Sequence, residues 1–261
     1  MPKYHAYGIT RRGFGASSTP APDDSNYTAD QLGDDVRKVM DVLELKKPVI
    51  IGHSIAGEEL SSVGSRYPDK VAGLIYLDAG YSYALYSPES FDRELDAKEL
   101  ISALNVFLTA QSGSDLNSVI ASIANVLSEI QLVQRNLERF QRQLELLRSP
   151  QNSGTTPKVP FAPPAIIRGE QKYTNIQVPI LAIFASPHAN PNLAQLPDDK
   201  KKEYISLDQQ ESATQAKAFE QLKSAKVVIL PNANHFVFFS NAQEVEKAMQ
   251  DFLATLNAKD N

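Results

Sequence analysis

Ser54 stands in Gly52-His53-Ser54-Ile55-Ala56-Gly57, between a short apolar run, Pro48-Val49-Ile50-Ile51, and a helix-forming stretch that opens Glu58-Glu59-Leu60. A serine hydroxyl is a weak nucleophile until geometry and a base activate it. Small residues on both sides let the backbone turn sharply from strand to helix, which lifts the hydroxyl clear of a sheet edge. The same turn sets the Ile55 amide at a helix N-terminus, where a developing oxyanion is stabilised. The chemistry this points to is nucleophilic attack on an acyl carbon.

Such a nucleophile needs a base. The chain has four histidines, His5, His53, His188 and His235. Only His235 follows a buried-strand pattern near the C-terminus, Val227-Val228-Ile229-Leu230. His53 lies inside the turn and is expected to pack, His5 to be a strand residue and His188 to lie on the surface. No two histidines have metal-ligand spacing, so no metal centre and no cofactor is expected. The base in turn needs a carboxylate that fixes its tautomer and stabilises its charged form. Three carboxylates are candidates: Asp78, at the end of the apolar run Gly73-Leu74-Ile75-Tyr76-Leu77, and Asp198 and Asp199, beyond a proline-containing loop. Glu58, one helical turn past the serine, is expected on the helix surface or behind the site. Tyr81, Tyr83 and Tyr86 follow Asp78 and are candidates to line an apolar acyl pocket, or to fill a core.

The elements that must position these groups are legible. Thr28-Ala29-Asp30-Gln31 reads as a capping box, and Leu32, Val36, Val39, Met40 and Leu43 form the apolar stripe of the helix it opens. Strands are expected at residues 4–9, 48–51, 71–77, 179–184 and 226–230. Helices are expected from the turn to about Tyr67, over 89–108, 118–148 and 209–222, and at the C-terminus, with a loop over 151–164. The 118–148 segment carries a heptad-like apolar spacing, read either as a helix lying on its own domain or as a dimer seam.

Several ordered motifs resemble the α/β-hydrolase family. Arg11-Arg12-Gly13-Phe14-Gly15-Ala16-Ser17 is similar to the loop after that family's fourth strand, 71–79 to its sixth strand and 178–184 to its seventh. The order serine first, histidine last is also the family's. The resemblance implies an α/β fold with a mostly parallel sheet flanked by helices and a helical cap inserted after the sixth family strand. The core would be residues 1–80 and 171–261, and the cap 81–170. It implies that the first strands of the family sheet, and the loop that supplies a second oxyanion donor, are absent, because Tyr4 to Ile9 already reads as the fourth strand. Most members hold the triad acid just after the seventh strand, where this chain reads Ala185-Ser186-Pro187-His188-Ala189-Asn190 with no carboxylate. Some hold it at the end of the sixth, which Asp78 occupies. The resemblance thus implies a Ser54-His235-Asp78 triad cleaving carboxylic esters through an acyl-enzyme, with a small-molecule ester as substrate. A non-catalytic module binding a ligand or partner, and hydrolysis of an amide or C–C bond, stay open. A dehalogenase of this fold needs a carboxylate nucleophile, which serine does not supply.

Composition narrows the classes further. The 261 residues carry a net charge of −5, which gives a nucleic-acid partner no electrostatic support. There is no cysteine, which excludes disulfides and a thiolate nucleophile and leaves the compartment open. No continuous run of about 18 apolar residues is present, so no membrane span is expected. Missing strands would leave a sheet edge bare, so a second copy of the chain is an expected partner.

Overall fold

The computed structural model describes residues 4–23, 25–90, 92–110, 115–147 and 162–257. Four parallel strands form one sheet in the order β1 (Val49–His53), β2 (Gly73–Leu77), β3 (Ile180–Ala185), β4 (Ala225–Leu230). Every residue of β2 and β3 is buried, as the near-continuous apolar runs of central parallel strands require. Leu74, Tyr76, Ile180, Ala182 and Phe184 pack on one face with Leu60, Val63 and Phe219. Ile75, Leu77, Leu181 and Ile183 pack on the other with Val245 and Phe252. The first face is covered by α2 (Gly57–Arg66) and α6 (Asp198–Glu220), the second by α8 (Ala242–Asn257), with the short α7 (Val237–Ser240) leading into it. Outside α2 lies α1 (Ala29–Val42), whose capping Thr28 Oγ1 accepts from the Gln31 amide at 3.1 Å.

Between β2 and β3 the described residues of the insertion form three α-helices, α3 (Arg93–Ala110), α4 (Leu116–Leu147) and α5 (Ala162–Arg168). The loop expected over 151–164 lies mostly outside the described residues; its last positions, from Ala162, are helical. α3 and α4 pack on each other, and α4 touches α6. Asn136 on α4 and Tyr86 before α3 both donate to Asp96 of α3, at 2.7 and 3.2 Å. The outward stripe of α4 is the apolar one: Leu116, Ile120, Ile123, Leu127, Ile130, Leu137 and Leu144 are all exposed. Its buried positions include the polar Ser122 and Asn136. By length and composition alone α4 could cross a membrane: an 18-residue window within Leu116–Leu146 reaches a mean hydropathy of 1.4. Interspersed Ser, Asn and Gln break up any continuous apolar run, which is why the sequence hides it.

One expected strand does not form. Residues 4–10 are irregular, with Tyr4, Tyr7 and Ile9 exposed. A strand is stabilised by a paired backbone, and among the described residues none lies beside this segment: the sheet ends at β1. There the Ile51 side chain is 47% exposed.

Candidate active site

The parallel register brings the C-terminal ends of all four strands to one edge. His53 pairs with Leu77, Leu77 with Ile183, and Ala185 with Leu230. Loops leaving that edge are where open parallel sheets place their chemistry. Ser54, Asp78, His188 and His235 all lie on them.

Ser54 follows β1 directly, with φ +55°. That left-handed backbone is rare for a residue with a Cβ and persists only where packing enforces it. Gly57 shows how tight the packing is, since a Cβ there would lie 2.1 Å from the Ala79 carbonyl oxygen. At Gly52 a Cβ would meet Leu60 at 2.6 Å and Ala56 at 3.0 Å. Both glycines let α2 sit close against the strand ends. The Ser54 hydroxyl makes no hydrogen bond among the described residues and opens on a cavity of about 310 Å³. Its walls are Arg11, Phe14, Ile55 and Tyr83, with Pro163, Ile166 and Ile167 from α5. Arg11 is held there by an ion pair with Glu59 at 2.5 Å, and Arg12 braces the loop from behind through two bonds to Asp35.

Asp78 is fully buried, also in the left-handed region at φ +47°. Its Oδ2 accepts from His235 Nδ1 at 2.7 Å and from His188 Nε2 at 2.9 Å. Its Oδ1 accepts from the Ala185 amide at 3.0 Å and the Tyr81 hydroxyl at 3.1 Å. Burial works against ionisation, but the donated bonds from His188 and His235 outweigh it and hold Asp78 down at about 2. The Asp78 bond commits the His235 Nδ1 proton, which leaves Nε2 of the neutral ring as the basic nitrogen. His53 Nε2 donates to the His235 carbonyl oxygen at 2.8 Å, and its ring lies tilted against those of His235 and Phe236 and edge-on to Phe238. The residue before Ser54 thus ties the His235 loop to the end of β1.

A model of the α/β-hydrolase fold family matches residues 3–242. The chain belongs to that family. A fluoroacetate dehalogenase from Burkholderia sp is 33% identical over 84 residues, 31% of this chain and 27% of that protein. A pyrethroid hydrolase from Sphingobium wenxiniae is 40% identical over 57 residues, 21% of this chain and 20% of its own length. The chain therefore aligns with only about a quarter of the curated relatives it matches. A solved thermophilic esterase from Thermogutta terrifontis superposes with TM-score 0.50 over 94% of this chain and 78% of that one, at 17% identity, a likeness of fold.

Within this α/β-hydrolase, Asp78, not Asp198 or Asp199, is bonded to His235. Asp198 and Asp199 open α6, where carboxylates favour the helix dipole, with no hydrogen bond to a histidine among the described residues. The three tyrosines separate. Tyr83 lines the Ser54 cavity and a neighbouring one of about 340 Å³, Tyr81 lines the second cavity while bracing Asp78, and Tyr86 lines neither.

One expectation is corrected, and of the two readings of Glu58 the buried one holds. His188 is not a surface residue but is drawn in between two aspartates. Its Nδ1 lies 2.9 Å from Asp208 Oδ1, and its backbone amide donates to Asp208 Oδ2 at 2.7 Å. Asp208 was invisible because α6 was expected to begin at 209, one residue after it; the helix starts at Asp198. Glu58 is fully buried, with both carboxylate oxygens unpartnered, and burial raises its pKa well above the ordinary value. Folding also gathers groups that lie far apart along the chain: carboxylate and ring-nitrogen atoms of Asp78, His188 and His235 lie within 4.8 Å of one another. Each of those atoms is engaged in the hydrogen bonds above.

Proposed function

We propose that this α/β-hydrolase cleaves small to medium carboxylic esters by acyl transfer through Ser54. The observation that carries the reading is the 2.7 Å bond between His235 Nδ1 and buried Asp78, at the same sheet edge as a serine in a left-handed turn. The Ser54 hydroxyl passes its proton to His235 Nε2 as Oγ attacks the acyl carbon. The Ile55 amide, second residue of the turn into α2, receives the oxyanion. His235 gives the proton to the departing alcohol, and water then releases the acyl group by the same route in reverse. The largely apolar cavity beside Ser54 suits an acyl chain, with Tyr83 and the α5 residues against it. The matched dehalogenase and pyrethroid hydrolase support hydrolysis as the class; the hydroxyl at position 54 favours acyl transfer over halide displacement.

The rival is a non-catalytic binding module, favoured by a Ser54 hydroxyl with no hydrogen bond to His235. Catalytic bonds often close only with substrate present. A fluorophosphonate probe separates the two. Covalent labelling of the wild type, lost in Ser54→Ala, supports the enzyme; no labelling of well-folded protein supports the module. A series of p-nitrophenyl esters from acetate to palmitate then reads the acyl length.

A further inference from the structure

We propose that His188 is a positioning residue of the triad: gripped between Asp78 and Asp208, it fixes the carboxylate that orients His235 and sets a permanent cation beside it. The inference rests on the triad reading above. It starts from the acceptor count. A carboxylate only accepts, so each ring nitrogen of His188, facing Asp78 Oδ2 on one side and Asp208 Oδ1 on the other, must carry a proton. A histidine protonated on both nitrogens is an imidazolium. The backbone amide of His188 donates to the same Asp208, which holds that carboxylate in place against the ring. Burial would discharge the ring, but the bonds to Asp208 and Asp78 push its pKa up to about 10.

The consequence falls on Asp78. Its Oδ2 serves two histidines, while Oδ1 is pinned by the Ala185 amide and the Tyr81 hydroxyl. The carboxylate cannot rotate. The cation on the far side partly cancels the negative charge that faces His235. Titratable groups on the elements packed around this network include Tyr81, whose hydroxyl lies 3.1 Å from His188 Nε2, Tyr83 against Tyr81, Glu211 on α6, which acts on Tyr81, Tyr204 on α6, on which Asp208 acts, and His53, whose ring centroid is 4.5 Å from that of His235.

The test separates orientation from charge. Glutamine places an N–H near Nε2 without the charge. His188→Gln is expected to lower kcat/KM toward p-nitrophenyl acetate at pH 8 a few-fold and to move the acid limb of the pH–rate profile up by about one unit. His188→Ala, which loses both bond and charge, is expected to move the limb alike and to cost at least about tenfold in kcat. A folded His188→Gln enzyme whose acid limb stays in place overturns the proposal. A second readout needs no turnover. Nitrogen-15 spectra of Ser54→Ala are expected to show the His188 ring doubly protonated at pH 8, and neutral there in Asp208→Asn. A neutral ring at pH 8 in Ser54→Ala overturns the assignment whether or not the wild type is an esterase; absent esterase activity with a doubly protonated ring fails the functional reading alone.

Discussion

Asp78 Oδ2 and His235 Nδ1 lie 2.7 Å apart, joined across 157 residues of chain. The buried carboxylate is anchored on three further sides, so its orientation toward the imidazole is set before any substrate arrives. Asp78→Asn offers His235 an amide in place of an acceptor-only carboxylate, and kcat toward p-nitrophenyl acetate is expected to fall by about 10³–10⁴. Asp198→Asn is expected to stay within about twofold of wild type. Equal losses in the two variants would remove Asp78 from its role.

The turn at Ser54 depends on the close approach of α2 to the loop after β2. In Gly57→Ala a methyl would press on the Ala79 carbonyl, a rigid backbone atom 2.1 Å away. The expected cost is about 2–4 kcal/mol, the range of a forced backbone shift in a packed core, with loss of fluorophosphonate labelling. Thermal denaturation beside labelling of the soluble fraction measures both; a variant as stable and reactive as wild type would show that the turn tolerates a side chain.

Stability is expected to fall on the alkaline side because of Glu170. Burial, and then the nearby Asp92, raise its pKa to about 9. A carboxyl raised in the folded state binds its proton there after the unfolded chain has lost it. Its contribution to stability is therefore intact below the ordinary glutamate value and erodes as pH rises through about 9. Glu170→Gln should raise Tm at pH 8.5 by roughly 5 °C or more and leave it little changed at pH 4.5. A melting series across that range decides; an equal change at both ends would place the effect elsewhere than in titration.

The outward stripe of α4 predicts a dimer. Leu116, Ile120, Ile123, Leu127, Ile130, Leu137 and Leu144 keep a 3–4 spacing over about four heptads, with exposed Gln134 and Gln141 continuing it. A seam that long, interrupted by polar residues at core positions and flanked toward its end by Arg135, Glu138, Arg142 and Glu145, fits a second copy of the same helix better than lipid. Light scattering is expected to give a dimer, and Ile123→Glu with Leu127→Glu a monomer. A monomeric wild type that binds lipid vesicles through α4 would reverse the choice of partner.

The serine turn, the parallel alternation and the late histidine were readable because each is local. Pro48 to Gly57 carries a strand run, small residues and a helix start within ten positions, and the buried runs of β2 and β3 admit no other reading of comparable length. Strand 4–9 fails for the opposite reason: it rests on likeness to the family's fourth strand, and pairing depends on a neighbour that the segment itself does not encode. Tyr86 was grouped with Tyr81 and Tyr83 by adjacency, while the path of the chain after β2 sends its hydroxyl to Asp96 and the others toward the cavities.

The sequence alone determined the family, the nucleophile's turn and the short set of carboxylates from which an acid had to come. Only the tertiary structure chose Asp78, buried Glu58, turned the apolar stripe of α4 outward and drew His188 and Asp208 into the site. Hydrophobic periodicity reports which face of an element is covered, over a few residues at a time. A hydrogen bond between groups 20, 110 or 157 positions apart depends on how whole strands and helices come to rest, and no local spacing carries that information.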